Sequence, residues 1–399
     1  MPIMRLCKSW LSSVLPGAVV SAVFSAMLAV PVAVFADAPA TVRFTAPTAH
    51  VDIALTGGLP VGWVYCRPAC EAPDASVQSL IDAGGTGRLA WTGQNTALVQ
   101  AMSNAVYVVA KTGPDIELHS TTNIAGRERI HRVHWDADRQ VLRLTLDLPR
   151  GVGLAVSTGP AFVPESLPGF GAVYTDVRAV AVDDDGQRWI GEPDQPVGGP
   201  ESLPAGAWAG IRSQFWSILL RAETAAQLVR KLPAANQPQL AFEFSAQAPV
   251  VVELAAGPVE RSALTRIDPV LTGMLFAALW DWLRALCFGM LWLLESLHAL
   301  VGNEGIAIML LSLSVKILMY PLTRIADRWQ QEVNRTQARL QPALTEIKAK
   351  YKGEEAHNRV LAVYREHGVH PLFTLKSLAG FLIQIPVFIA AFDMLGGNF

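Results

Sequence analysis

Lys316 stands where a charge is costly. It lies inside the apolar run 306–322, within the stretch Val315-Lys-Ile-Leu-Met-Tyr-Pro-Leu-Thr-Arg324. A cation at membrane depth needs water or a partner, so a lysine there marks a candidate functional position. Two arrangements satisfy it. A hydrated recess would lower the cost of passing a polar stretch of another chain. Alternatively, the side chain snorkels to the nearer interface, since Pro321 is only about 7 Å further along a helix. A second apolar run, 373–395, carries Gln384 and Pro386 in Leu382-Ile-Gln-Ile-Pro-Val-Phe388. An amide in such a segment turns to helix neighbours or to a recess for hydrogen bonds, and the proline is expected to kink its helix.

Elsewhere the chemistry is sparse. Cys66 and Cys70 sit four apart in Val64-Tyr-Cys-Arg-Pro-Ala-Cys-Glu-Ala-Pro73. In an exported segment they are expected to form a disulfide rather than a free thiol pair. A metal site is not expected, because no second Cys or His pair stands beside them in sequence. His131 and His134 are three apart, so on a strand they face opposite sides and make a poor ligand pair. They are read as surface or edge-strand histidines. The run Asp183-Asp-Asp-Gly186 lacks the spaced carboxylates of a calcium loop and reads as a hairpin turn. No nucleophile motif, phosphate loop or dinucleotide fingerprint is present, so neither an enzyme nor a cofactor is expected.

The elements that must position these residues divide the chain sharply. Of 399 residues, 51% are hydrophobic and 17% charged, with a net charge of −2 that says nothing about nucleic acid either way. Residues 1–36 combine Arg5 and Lys8 with an apolar core and small residues near Ala36, the pattern of a signal peptide or an uncleaved signal anchor. Either places residue 37 onward outside the cytoplasm. Residues 37–268 have the composition of a soluble domain, and their dominant period is two. Candidate strands lie at 141–148, 180–182, 189–190, 240–244 and 250–254, punctuated by Gly, Pro and Asp turns, which predicts a β-sandwich. The one amphipathic helix candidate there is 222–232.

Beyond residue 268 apolar runs dominate. In 269–303 the residues Asp281, Arg284, Glu295 and His298 recur near whole helical turns and share one side. Residues 304–323 and 373–395 read as spans. Between them, 324–372 is a helical hairpin with its turn at Tyr351-Lys-Gly353. Its Lys and Arg residues outnumber its acids, which favours the cytoplasm. An exported β domain and a cytoplasmic hairpin require an odd number of crossings. Residues 304–323 supply one. About 30 residues of helix reach only about 45 Å, too short for two more, so 269–303 is expected to lie along the outer surface.

These segments resemble the YidC/Oxa/Alb family of membrane protein insertases, in the Gram-negative form. Met319-Tyr-Pro-Leu-Thr323 matches the family's MYPLT, and Leu382-Ile-Gln-Ile-Pro-Val-Phe388 its LIQxPIF. Leu340-Gln-Pro342 through Tyr351 matches LQPxxxxxKxKY. Residues 206–216 and 254–260 are similar to segments near the end of the family's periplasmic domain. The resemblance implies an α+β membrane protein of the bacterial inner membrane. A mutarotase-like periplasmic β-sandwich would be followed by an interfacial helix, transmembrane helices and a cytoplasmic hairpin. It implies a chaperone and insertase that takes hydrophobic segments of nascent membrane proteins from the cytoplasm into a hydrated groove and releases them into lipid. Lys316 would stand where the family has its groove arginine, with Gln384 beside the groove and Tyr320, Pro321 and Pro386 in structural roles. The Sec translocon and the ribosome are implied as further partners, with no nucleic-acid specificity. The family has five core transmembrane helices, of which two are recognisable here before 396–399 enters what would be a periplasmic loop. A fragment of a longer insertase and a truncated paralogue needing a partner chain both fit, as does a membrane-anchored periplasmic binding or scaffold protein.

Overall fold

The computed structural model describes residues 40–82, 87–113, 115–159, 162, 177–191, 199–234, 237–245, 249–277, 279–366 and 379–396. The expected signal segment, the stretch 367–378 and the tail 397–399 fall outside the described residues.

Alternating apolar and polar residues give the first part an antiparallel β architecture. β1 (Thr41–Ala46), β2 (Ala49–Ala54), β3 (Pro60–Arg67) and β4 (Ser76–Ile81) form a four-stranded meander. β5 (Gly87–Gly93), α1 (Thr96–Asn104), β6 (Tyr107–Lys111), β7 (Asp115–Ser120), β8 (Ile130–Asp136), β9 (Val141–Leu146) and β10 (Val152–Thr158) follow. Next come β11 (Arg178–Asp183), β12 (Gly186–Trp189), β13 (Glu201–Leu203), β14 (Trp208–Arg212) and β15 (Trp216–Ala222). β16 (Ala226–Ala234), β17 (Gln237–Phe244) and β18 (Val250–Pro258) complete the strands. They build a five-stranded sheet, β13-β16-β17-β10-β5, and a nine-stranded sheet, β12-β11-β14-β15-β18-β9-β8-β7-β6.

The nine-stranded sheet is buried on both faces along β11, β14, β15, β18 and the start of β9, whereas β7 and β8 alternate buried with exposed or half-buried residues. The sequence shows why. Leu142, Leu144 and Leu146, with Ile218, Leu220, Val252 and Leu254, point into one core shared with the other two sheets. Their neighbours Val141, Val180, Val182, Trp208, Leu219 and Ala255 point the other way, under the segment that leaves the sandwich. Period-two strands with apolar residues at successive positions are the signature of a sheet covered on both sides.

Two features of this domain depart from the sequence reading. Residues 222–232 are the end of β15 and most of β16, not a helix. Ala226, Leu228 and Arg230 are buried while Gln227 and Lys231 are exposed, a strand alternation that the Ala-rich composition hides. α1 was not expected; its signal is Asn95, whose Oδ1 accepts the Leu98 amide at 3.2 Å as an N-cap. The run Asp183–Gly186 is a tight β11–β12 turn in which Asp183 Oδ1 accepts the Asp185 amide.

α2 (Arg261–Ile267) and a 3-10 turn (Pro269–Met274) carry the chain from the sandwich to α3 (Asp281–Val301), α4 (Glu304–Lys350), α5 (Gly353–Glu366) and α6 (Ala379–Gly396). Asp268 caps the 3-10 turn and fixes it to the sheet. Its carboxylate accepts from the Val270 amide, from Trp208 Nε1 at 3.0 Å and from Arg221 at 2.7 Å. Gly302 ends α3 in the left-handed region at φ 69°, and Asn303 caps α4 through the Ile306 amide. The chain therefore turns sharply between the two helices.

Candidate functional site

α3, the first turns of α4 and the last turns of α6 meet in one apolar cluster. Leu283, Cys287, Met290 and Leu291 of α3 bury against Leu311 of α4 and against Ala390 and Met394 of α6. The Cys287 thiol lies 3.7 Å from the Ala390 carbonyl. Spacings of three and four residues on α3 and of four on α6 are what a packed helix seam requires. At the same end, Gln214 of the β domain donates to the Gly396 carbonyl at 2.6 Å.

The outer sides of these helices are left open. On α4, Met309, Leu313, Lys316 and Tyr320 recur every three or four residues and are all exposed. The Arg324 guanidinium lies over the Tyr320 ring at 5.0 Å from its centroid. A cation, an aromatic ring and a second cation thus line one stripe, about half a helical circumference from the seam residues Ala307 and Leu311. On α6, Gln384, Phe388 and Phe392 form a matching exposed stripe, with the two rings stacked at 6.4 Å. Lys316 lies about 7 Å along α4 from the seam residue Leu311, and Gln384 about 9 Å along α6 from the seam residue Ala390. The two helices pack together, and among the described residues no hydrogen bond joins Lys316 and Gln384.

Lys316 is about 18 Å along α4 from Glu304, within the apolar first part of that helix. Exposed on a helix flanked by Ile317 at 66% and Leu318 at 73% exposure, it has no carboxylate partner among the described residues. A lysine so exposed can attract an acidic or polar group.

Pro321 and Pro386 both lie inside helices. α4 continues unbroken past Pro321 and Pro342 to Lys350, so the expected change at 323–324 from span to hairpin has no secondary-structure boundary. The turn comes at Tyr351 to Gly353, with Gly353 at φ 66° and Arg359 stacked on Tyr351 at 3.8 Å. α5 returns along α4.

α3 has three sides. One is the buried seam. A second carries Asp281, Glu295 and His298, exposed, and Arg284, which turns inward to the carbonyls of Leu275 and Gly273 at 3.0 Å each. The third exposes Trp282, Trp292 and Leu300. By length and composition α3 and α4 could each cross a membrane.

In the β domain, Cys66 and Cys70 are joined by a disulfide, and the structure brings His50 of β2 beside them, with Nδ1 3.8 Å from Cys70 Sγ. Sequence spacing could not reveal this neighbour, since it arrives through the β1–β2 hairpin. His134 is exposed and bonds Asp115 at 2.7 Å, whereas His131, expected at a surface or edge, is fully buried.

Residues 296–398 match a family model described as 60Kd inner membrane protein. A membrane protein insertase YidC of Cupriavidus taiwanensis is 33% identical over 144 residues, 36% of this chain and 24% of that protein. The corresponding protein of Syntrophobacter fumaroxidans is 32% identical over 143 residues, 35% of this chain and 24% of its own length. The aligned part thus spans about a quarter of the curated relatives it matches. A solved structure of an active YidC insertase with its first transmembrane domain resolved aligns over 90% of this chain and 72% of its own, at 14% identity and a TM-score of 0.31.

Proposed function

We propose, from the match of residues 296–398 to the 60Kd inner membrane protein family and from the similarity to YidC insertases, that the chain takes part in inserting hydrophobic segments of nascent proteins into the bacterial inner membrane. In this reading the β domain is periplasmic, α3 lies along the outer surface, α4 crosses inward and α6 crosses back. The lower part of α4 and α5 form the cytoplasmic hairpin, where nascent chains and, beyond them, the ribosome or a translocon would be met. The exposed tryptophans of α3 suit a headgroup belt.

The observation that carries the proposal is Lys316, exposed within the apolar first part of α4, which in this reading lies at mid-depth. A charge there costs about 3 kcal/mol in lipid unless water or a partner receives it. A hydrated groove would supply that water, and the ammonium would draw polar or acidic residues of the incoming segment while Gln384 offers an amide. The apolar stripes of α4 and α6 would then guide the segment into lipid. The reaction is binding, desolvation and release.

The test is insertion of a reporter substrate in cells depleted of their own insertase. Lys316→Glu is expected to lower insertion about tenfold or more, the loss of roughly 1.4 kcal/mol or more of favourable interaction, and Lys316→Arg to preserve it. Normal insertion by Lys316→Glu would leave only the snorkelling role, and the groove reading would fail.

A further inference from the structure

We infer that the periplasmic-type domain carries a reduction-gated site for a thiophilic d10 cation, Cu(I) in the first place, built from Cys66, Cys70 and His50. The donor atoms of the three residues all lie within 4.8 Å of one another. His50 Nδ1 and Cys70 Sγ, at 3.8 Å, are already near the separation of about 3.6 Å that an imidazole nitrogen and a thiolate adopt on one metal ion, given bond lengths of about 2.0 and 2.3 Å. Once the S–S bond is broken, the sulfurs can part to the corresponding edge by side-chain rotation. Two thiolates and one imidazole make a soft, three-donor set, which suits Cu(I); Zn(II) would call for a fourth ligand.

What makes this a site is the backbone that holds it. The β1–β2 turn consists of Pro47 and Thr48, between the paired residues Ala46 and Ala49. The Thr48 carbonyl accepts the Cys66 amide and the Pro47 carbonyl accepts the Cys70 amide, both at 2.8 Å. His50 follows two residues later in the same hairpin, in register with Val64 of β3. Both cysteines are thus tied to the segment that presents the histidine by hydrogen bonds that do not depend on the disulfide. Reduction would leave the three side chains facing one another. Cys66 is buried, while Cys70 and His50 are half-exposed, so a reductant and a metal reach the site from the Cys70 side.

In an oxidising compartment the disulfide occludes the site. A dithiol donor opens it by two successive exchanges. Its own sulfurs end as a disulfide, its two protons pass to Cys66 and Cys70, and two electrons enter the protein's bond. The cation then displaces both thiol protons.

The experiment titrates the full chain in detergent with Cu(I) under anaerobic conditions against a chromogenic competitor, before and after reduction by a phosphine that is then removed. One equivalent per chain is expected after reduction and none before it. Cys66→Ser/Cys70→Ser, which keeps Cys7 and Cys287, is expected to lose the site. His50→Ala is expected to weaken it by at least the ~10-fold seen when even an outer-shell partner is disturbed. Equal binding before and after reduction would overturn the inference. So would binding retained by the double serine variant, or an unchanged affinity in His50→Ala. Should the serine variant fail to fold, the redox comparison on the unaltered chain and His50→Ala still decide. A parallel titration with Zn(II) that binds more tightly than Cu(I) would overturn the choice of metal.

Discussion

At the residue scale His131 gives the sharpest prediction. Its Nδ1 lies 3.2 Å from the Asp147 amide and must accept that proton, so the neutral ring carries its hydrogen on Nε2 and donates to Tyr107 Oη at 2.9 Å. Trp91 and Tyr107 close over the imidazole at centroid distances of 5.7 and 4.9 Å. Burial pushes its pKa down to about 4 against an ordinary 6.5, although the nearby Asp147 carboxylate works the other way. The folded state therefore disfavours the imidazolium. Above about pH 6.5 the ring is neutral in both states and the full contribution is present. As pH falls towards 4 the unfolded chain takes up a proton that the folded one refuses, and up to about 3 kcal/mol is lost. Unfolding followed by urea at a series of pH values should show this slope in the unaltered protein and a shallower one in His131→Gln. Identical slopes would mean that His131 is not the group responsible. The same residue shows a limit of sequence reading. The alternation of β8 gave opposite faces for His131 and His134, but nothing in Ile130-His-Arg-Val-His-Trp135 says which face is the core. That depends on Trp91 and Tyr107, which are brought in from other strands.

At the element scale the link between sandwich and helices rests on Asp268. It caps the 3-10 turn and accepts from Trp208 and Arg221. Arg221 in turn pairs with the nearly buried Glu253 at 2.5 Å, which also meets Arg139 at 3.4 Å. Asp268→Ala removes the cap and leaves Arg221 short of a partner in a half-buried place. A loss of about 2–4 kcal/mol is expected, measured as a lowered thermal midpoint of the full chain in detergent. Asp268→Asn, which keeps the cap, should lose less. None of these partners is adjacent in sequence, so the network was not legible beforehand. What was legible followed from local rules. Alternation gave β9, β11, β17 and β18, and Asp183–Gly186 gave its turn. Tyr351-Lys-Gly353 gave the α4–α5 turn because a left-handed glycine is a local requirement. Alanine-rich 222–232 misled because Ala tolerates either structure, and the pairing with β17 along Ala226 to Lys231 decided it. The unbroken course of α4 past Pro321 shows the converse. A proline removes one hydrogen bond and crowds one carbonyl, yet a helix continues when strong helix formers flank it on both sides.

At the scale of the molecule, the arrangement turns on which helix crosses first. α3 and α4 both have the length and composition to span, and the sharp turn at Gly302 and Asn303 prevents them from forming one continuous helix. Two features distinguish them. α3 places Asp281, Glu295 and His298 on its surface and is pinned near its start by Arg284 to the 3-10 turn against the sandwich. α4 exposes Ile308, Met309, Leu313, Ile317 and Leu318 all round its open side and then becomes the basic arm from Arg324 onward. Surface charges along α3 would be stranded in a hydrocarbon layer but satisfied at a headgroup boundary. Lys and Arg following α4 favour retention in the cytoplasm. Alkaline phosphatase, active only outside the cytoplasm, should therefore be active when fused at the Asp184-Asp185 turn and also after Gly302, and inactive when fused after Lys352. If α3 were the span, the order would invert at the last two positions: activity lost after Gly302 and regained after Lys352. That pattern would place Lys316 in a helix running outward, with its basic arm on the wrong side, and the insertase topology would fall with it.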